Sequence, residues 1–542
     1  MKKFWRKLKN RLKRKNFWKV FLKNFLLALL FTFITVIPDF VLKLGMDNYI
    51  AHFHANSFLF IFCLVSSLLF VKNEKFFNIS YFLIWVLITS AMFYFVHFGR
   101  YFLGHDMMIL FRETEDIFIG LVANLSKSWY VIITGILCFC LGYIFRKTFI
   151  KTKAKSNIFI YIFLCVIAWK LYNVNKLADT KTLPNPLRYI ATNSVNSFSN
   201  FWMKSVFVNK KIKKFKPYSL VKKYFNDKQK ITVIFVMGES TNNSSMSLFG
   251  YKRNTTPNLL KWKNKPNFIY KKAISSGVAT AVSLPMFFNF QKEPENVMMS
   301  VDKKVNLFKM AEERGFKTLM FSPQASATFA DVGIEFVDKV NYRDLDRDNF
   351  NRLGDDYSYN LLKKESLDDR NFFVIQMRAV HYPYEKIYEN LPQFNKFNDE
   401  NLPDKVNHYD NAMLYFDDFL NRMLEYADTL DGKVYFIFTS DHGQMMGEDN
   451  LWGHSFLHRK VADVPFILYT KNVSKDELFG IDKIKTPTHY DISKFMANIL
   501  GYEVKNPNTL ENIYYINGND IDGSGGFLKL KKLGQKLSIV SK

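Results

Sequence analysis

Residues 433–443 read KVYFIFTSDHG, and residues 231–240 read ITVIFVMGES. Each is a short, nearly continuous run of β-branched and aromatic residues that stops at a polar group. One run stops at Asp441-His442-Gly443 and the other at Glu239-Ser240. Strands apolar on both faces belong in a parallel sheet covered by helices. Three further runs have the same character: KTLMFS (317–322), NFFVIQM (371–377) and VPFILYT (464–470). Between them lie helical patterns, including VNLFKMAEERG (305–315), VNHYDNAMLYFDDFLNRMLEYA (406–427) and DISKFMANILG (491–501). This alternation from residue 231 onward predicts an α/β domain with a mainly parallel sheet covered by helices.

Working outward, the N-terminal part has a different texture. Apolar runs occupy 25–42, 57–71, 79–98, 130–145 and 157–172. A spanning helix takes roughly 17–25 apolar residues, so the second, fourth and fifth are individually short and each alone would also suit a buried core helix. Together they predict a transmembrane domain of five helices. All four cysteines (Cys63, Cys138, Cys140 and Cys165) fall inside these runs, which excludes a disulfide-rich scaffold and a cysteine-based zinc knuckle. The segment Lys2–Lys23 carries eleven Lys or Arg and no acid, and the loop with Arg146, Lys147, Lys151, Lys153 and Lys155 is also free of acids. The positive-inside rule puts both in the cytoplasm, so five spans send everything after about residue 173 to the opposite side. No small-residue cleavage site follows Leu42, which argues against a removable signal peptide.

The full chain of 542 residues has 75 Lys plus Arg against 49 Asp plus Glu, a net charge of +26. That balance suits an anionic partner. Beside a membrane span, the basic N-terminus reads as a topology determinant held by anionic headgroups, and no nucleic-acid partner is expected. At 48% hydrophobic residues the chain is not disordered. The expected organisation is a basic cytoplasmic segment (1–24), a transmembrane domain (25–172), a polar amphipathic connector with helix along the membrane surface (173–230), a catalytic domain (231–522) and a basic tail (523–542). The tail, with FLKLKKLGQKL, suggests at most a surface helix.

In such sheets the polar residues at the C-terminal strand ends build the site. An Asp-His pair alone is usually a turn. Asp441-His442 and Glu239, all at strand ends of one sheet, offer a carboxylate–imidazole–carboxylate set suited to zinc. The run 371–377 leads shortly to His381. Between the first two runs, Ser275-Ser276-Gly277-Val278-Ala279-Thr280 enters a helical segment. Amides at a helix N-terminus attract phosphate, and a nearby metal would make Thr280 a usable nucleophile.

These stretches together resemble the phosphoethanolamine transferases of the alkaline phosphatase and sulfatase superfamily. The matching pieces are VMGESTNNSSMSLFGYKRNTTPNL (236–259), SGVATAVSLPM (276–286), HYPYEKIYENLPQF (381–394), YDNAMLYFDDFL (409–420), SDHGQMMGE (440–448) and LWGHSFLHRKVADVPFIL (451–468). The resemblance implies that Glu239, Asp441, His442 and Thr280 hold zinc, one ion or two, and that Thr280 is the catalytic nucleophile. It implies that His381 and His454 hold the donor phosphate or a second zinc. His458 is a rival for His454, and His454 is preferred because Gly453-His454 fits the family spacing. His408 and His489 match no family role and read as surface or capping residues. The implied reaction moves phosphoethanolamine from phosphatidylethanolamine to an envelope acceptor: lipid A, the lipopolysaccharide core, or another glycan or protein. The implied setting is the bacterial inner membrane, with the catalytic domain periplasmic.

Departures from the family pattern are specific. Many members staple this domain with disulfides, some flanking the nucleophile loop, and those positions here fall on Ser276 and Met286. Gln444 stands where relatives commonly have Glu. The segment SPQASATF (322–329) lacks the Asn-Ser and Lys that some relatives use near substrate. Three rivals remain at this level: a phosphoglycerol transferase, a sulfatase-like hydrolase and a membrane scaffold with a degenerate site. A sulfatase needs Arg after Ser-x-Pro, and Ser283-Leu284-Pro285-Met286-Phe287 has none.

Overall fold

The computed structural model describes residues 15–45, 55–71, 73–99, 101–102, 106–107, 114–150, 165, 168–169, 189–202, 214–225, 228–523, 525–534 and 536–541. The chain divides into two compact units, one drawn mainly from the N-terminal 209 residues and one mainly from residue 210 onward.

The first unit is helical: α1 (Lys15–Gly45), α2 (Ala55–Leu69), α3 (Glu74–Phe98), α4 (Thr114–Phe149) and α5 (Ile190–Trp202). Three stretches are long and apolar enough to cross a membrane, Trp18–Leu44, Glu74–Phe98 and Ser128–Phe149, and Ser57–Leu69 is a shorter apolar helix. The first four apolar runs thus fall on helices. The fifth, 157–172, lies outside the described residues except Cys165, Ala168 and Trp169. Helix α3 starts where the Asn73 side chain accepts the Phe76 amide and ends at Gly99, whose positive φ of 68° lets its N–H reach Phe95 O. Arg146 on α4 donates to the carbonyls of Leu69 and Val71 and lies 3.8 Å from the centre of the Phe77 ring, tying three helices together. Helix α5 differs from the expected surface helix. It buries Thr192, Asn193, Ser194, Asn196, Ser197 and Asn200. Asn193 and Ser197 donate to Phe102 O, and the Ile190 amide donates to Asp39. Those partners let a polar helix face go inside.

The second unit is built on a seven-stranded sheet: β1 (Ile231–Gly238), β2 (Phe268–Ile274), β3 (Lys317–Ser322), β4 (Lys339–Tyr342), β5 (Arg370–Gln376), β6 (Lys433–Ser440) and β7 (Asp463–Lys471). Their spatial order is β2-β7-β6-β1-β5-β3-β4. The pairs β6-β1, β1-β5, β5-β3 and β3-β4 are parallel, while β7 runs antiparallel to both its neighbours. The central strand β1 is buried along its whole length, and its side chains feed two cores. Val233, Phe235 and Met237 face one core, shared with α6 (Thr280–Phe288) and part of α8 (His489–Ile499). Ile234 and Val236 face the other, dominated by α7 (Asp404–Thr429). Double coverage explains the nearly unbroken apolar runs.

Two strands, β2 and β4, were not anticipated from sequence. Both are sheet edges, and β2 carries Lys271 and Lys272, a common way of blunting an edge. The tail also departs from expectation. Its described residues join β8 (Ile513–Asn517) in an antiparallel sheet as β9 (Phe527–Leu533) and β10 (Lys536–Ser541), and none of those described residues is helical. Leu528 and Leu530 of β9 are buried while the alternate residues Lys529 and Lys531 are only partly so, a two-residue period that suits a strand.

Candidate metal centre

Three adjacent strands, β6, β1 and β5, end side by side, and each delivers site residues at its C-terminal end. Strand β1 runs into Glu239, β6 into Asp441 and His442, and β5 into the turn leading to His381. Glu239 is 1% exposed, and Asp441 and His442 are fully buried. One ligating atom from each of these three lies within 4.8 Å of the others. His442 Nε2 is 3.5 Å from Glu239 Oε1 and 3.4 Å from Asp441 Oδ2. The Thr280 hydroxyl donates to Glu239 Oε2 at 3.2 Å and is 3.2 Å from His442 Nε2.

The donor set fits a divalent cation. His442 Nδ1 sits 2.9 Å from the Gly443 carbonyl, which only accepts, so Nδ1 carries the proton and the Nε2 lone pair faces the carboxylates. Asp441 Oδ1 accepts the amides of Ser240 and His442, whereas Asp441 Oδ2 is buried and accepts no hydrogen bond among the described residues. A buried carboxylate oxygen without a donor is costly unless a cation meets it. Burial first, and then the Asp441 carboxylate, push the Glu239 pKa above its ordinary value. Two buried carboxylates this close oppose ionisation, and a bound cation reverses that penalty.

Thr280 is placed by packing beneath it. It is the first residue of α6, preceded by an extended Ala279 whose carbonyl accepts the Val282 and Ser283 amides. The Phe287 ring of α6 stacks on Phe235 of β1 at 5.0 Å between centres, which seats the helix on the strand that carries Glu239. Gly277 has no room for a side chain: a Cβ there would lie 2.7 Å from Val282 Cγ1. Ser283, the alternative hydroxyl of this helix, is fully buried.

The histidines separate by position. The His454 ring centre is 4.2 Å from that of His442 and 6.5 Å from that of His381, so both flank the cluster. His458 instead caps the turn Arg459–Ala462 by accepting the Lys460 amide. His408 is half-buried and bonds the Tyr388 hydroxyl at 2.6 Å. His489 contradicts the expectation of a surface or capping role. It is 1% exposed and accepts from both the amide and the hydroxyl of Ser276 at Nδ1, each at 3.1 Å. Its Nε2–H donates to Ser440 O at 2.9 Å, and its ring lies edge-on to Phe287. The imidazole thus joins the loop before Thr280 to the strand end that carries Asp441 and His442. Burial keeps it neutral, lowering its pKa to about 3.

Other residues surround the cluster, and of these only Gln444 and the segment holding Gln324 stand out in the sequence, as departures from the family pattern. Ser240 holds a positive φ of 53° and donates to Glu239 Oε1 at 2.7 Å. A non-glycine residue in that conformation is strained, as active-site residues often are. Tyr409 donates to Ser240 O and accepts the Asn242 amide. Gln444 donates to the Tyr384 hydroxyl and lies with Oε1 3.2 Å from His454 Nδ1. Gln324 touches Glu239 itself.

Comparison with known proteins gives these features relatives. Kdo(2)-lipid A phosphoethanolamine 7''-transferase of Escherichia coli (strain K12) is 26% identical over 231 residues, 40% of this chain and 39% of that protein. Phosphoethanolamine transferase EptC of the same strain is 27% identical over 271 residues, covering 44% of this chain and 45% of EptC. In each case less than half the relative's length is matched. Phosphoethanolamine transferase EptA of Helicobacter pylori (strain ATCC 700392 / 26695) is 23% identical over 467 residues, 79% of this chain and 82% of EptA. The integral membrane lipooligosaccharide phosphoethanolamine transferase A from Neisseria meningitidis shares the fold, with a TM-score of 0.62 at 18% identity over 89% of this chain and 95% of that one. The family model described as Sulfatase matches residues 231–502, half of the sequence, and the chain belongs to the sulfatase family.

Proposed function

We propose that the protein transfers phosphoethanolamine from phosphatidylethanolamine to an acceptor in the bacterial envelope, lipid A or the lipopolysaccharide core in the first place, from a catalytic domain on the periplasmic side of the inner membrane. The observation that carries the reading is the Thr280 hydroxyl at the head of α6, 3.2 Å from both Glu239 and His442, beside an Asp441 oxygen that lacks a hydrogen-bond donor. The curated relatives above, named as phosphoethanolamine transferases, support the group transferred.

Glu239, Asp441, His442 and Thr280 would hold zinc, and His381 and His454 would meet the donor phosphate or a second ion. A bound zinc ion would supply Lewis-acid stabilisation of phosphoryl oxygens and lower the pKa of a coordinated hydroxyl. Glu239 accepts the Thr280 proton along the existing hydrogen bond, and Thr280 Oγ1 attacks phosphorus. The phosphorus–oxygen bond to diacylglycerol breaks as its oxygen takes up the proton from Glu239, leaving phosphoethanolamine on Thr280 and diacylglycerol as the free alcohol. The acceptor hydroxyl then attacks phosphorus, passing its proton by way of Glu239 to Thr280 Oγ1 as the phosphorus–Thr280 bond breaks. The amides of the first turn of α6 favour the negative charge that develops beside them. Ser283 is buried and lacks a following Arg, which disfavours sulfate-ester hydrolysis through that serine. The complete donor set disfavours an inactive scaffold.

The test is mass spectrometry of the full chain incubated with phosphatidylethanolamine alone. Phosphoethanolamine is expected on Thr280, and Thr280→Ala should abolish both adduct and transfer while retaining the fold. Transfer by Thr280→Ala at the wild-type rate would refute the covalent route.

A further inference from the structure

The carboxylate of Glu239 has a partner beyond the ligand cluster. Gln324, 4% exposed, donates Nε2–H to Glu239 Oε2 at 2.9 Å and to Met377 O at 3.3 Å. Oε2 is also the oxygen that accepts the Thr280 hydroxyl. The other end of the amide, Oε1, accepts from Arg378 at 2.8 Å. A guanidinium has donors only, so it can face only the oxygen end of a carboxamide. Arg378 therefore sets which way round the amide stands and turns the nitrogen toward the carboxylate. Reversed, the amide would aim an oxygen at Glu239 and a nitrogen donor at a guanidinium.

Both members of the pair are anchored. The Gln324 backbone N–H donates to Ser322 Oγ, and its backbone carbonyl accepts the Arg343 backbone N–H. The Arg378 backbone N–H donates to the buried Asp355 at 2.8 Å. With Ser240 holding Oε1 and Gln324 holding Oε2, both Glu239 oxygens are fixed before any ion binds. Outer partners of metal-ligating carboxylates orient them and raise affinity.

We infer that Gln324, held in orientation by Arg378, is a positioning residue that presents Glu239 to the metal and keeps its Oε2 on the Thr280 hydroxyl. The inference rests on reading the cluster as a metal centre. It is independent of which group is transferred.

The experiment measures zinc affinity of the full chain in detergent by competition with a chromophoric chelator, without donor or acceptor present. Gln324→Leu and Gln324→Glu should each weaken zinc binding roughly 10- to 100-fold. Arg378→Met should weaken it in the same direction, and Arg378→Lys, which keeps a donor-only cation, should recover part of the loss. Metal-free Gln324→Leu should melt below metal-free wild type by no more than the loss of its buried hydrogen bonds explains, and far less than the loss in zinc affinity requires. Wild-type zinc affinity in both Gln324→Leu and Arg378→Met would overturn the inference, as would a metal-free melting loss large enough to account for the weaker binding. A wild-type chain that holds zinc but transfers no phosphoethanolamine, with Gln324→Leu still weakening zinc, would sink the proposed reaction and support the positioning role. A wild-type chain that binds no zinc would sink both.

Discussion

His489 supplies the sharpest test of how the loop before Thr280 is held. Replacing it with Leu leaves the Ser276 amide and the Ser440 carbonyl without their partner, and the Ser276 hydroxyl loses one as well. An unmet buried backbone group costs about 1–3 kcal/mol, so the buried Ser440 carbonyl alone predicts a loss of that size, with a smaller addition from the half-buried Ser276 amide. The wild-type protein can be perturbed at the same point by acid. Burial first lowers the His489 pKa from 6.5 to about 3, so the folded state disfavours the proton. A depressed folded pKa contributes stability that is complete above the unfolded value of 6.5 and is lost as pH falls toward 3. At about 1.4 kcal/mol per pH unit, moving from pH 6.5 to 5 removes about 2 kcal/mol from this group. The assay is hydrogen exchange by mass spectrometry on peptides covering residues 275–283 of the full chain, together with tryptophan-fluorescence melting. His489→Leu should lose protection in that loop at pH 7 and show a shallower acid dependence than wild type. Unchanged protection at 275–279 would refute the strut, because those amides would then be held by something else.

Other perturbations act on separate terms. Asp441→Ala should lose zinc and activity, and it should melt lower than zinc-loaded wild type, since a ligand at about 1,000 times its Kd adds about 4 kcal/mol; equal melting with and without zinc in the wild type would count against a structural metal. Asp417 caps the segment Pro257–Trp262 by accepting the Asn258 and Leu259 amides, and burial first raises its pKa to about 7. That raised value means its stability contribution is present below 3.8 and lost as pH rises through 7, by at most about 4 kcal/mol. Asp417→Asn should therefore look worse than wild type at pH 4 and gain relative to it by pH 8, and a pH-independent difference in melting temperature would contradict this. Reporter fusions after Lys72 and Arg146 should report cytoplasm and a fusion after residue 230 periplasm; a cytoplasmic signal at 230 would remove the proposed donor and acceptor from reach.

What could be read in the sequence follows from which contacts are local. Strands β1 and β6 announce themselves because a central strand buried on both faces needs an unbroken apolar run, and their polar ends mark Glu239 and Asp441-His442. Strand β2 hides because its core-side run is interrupted by the partly buried Lys271, whose ammonium donates to the carbonyls of Ile481, Asp482 and Ile484. The FLKLKKL run does carry the two-residue period of a strand, yet its lysines favour a helical reading until Leu528 and Leu530 are seen buried together. His489 and Gln324 were less legible still, because what makes them matter lies 213 and 85 residues away in the chain. A buried imidazole and a buried amide look like ordinary core polar residues until their partners are known. The two share a logic. The domain's described residues include no cysteine beyond the N-terminal helices, so no covalent staple holds its loops. Hydrogen bonds from fully buried side chains have to fix the positions of Thr280 and Glu239 instead. Such bonds are strong only while the site stays dry and neutral partners stay neutral. Acid, or loss of one partner, should therefore loosen the loop and the ligand before the sheet beneath them yields.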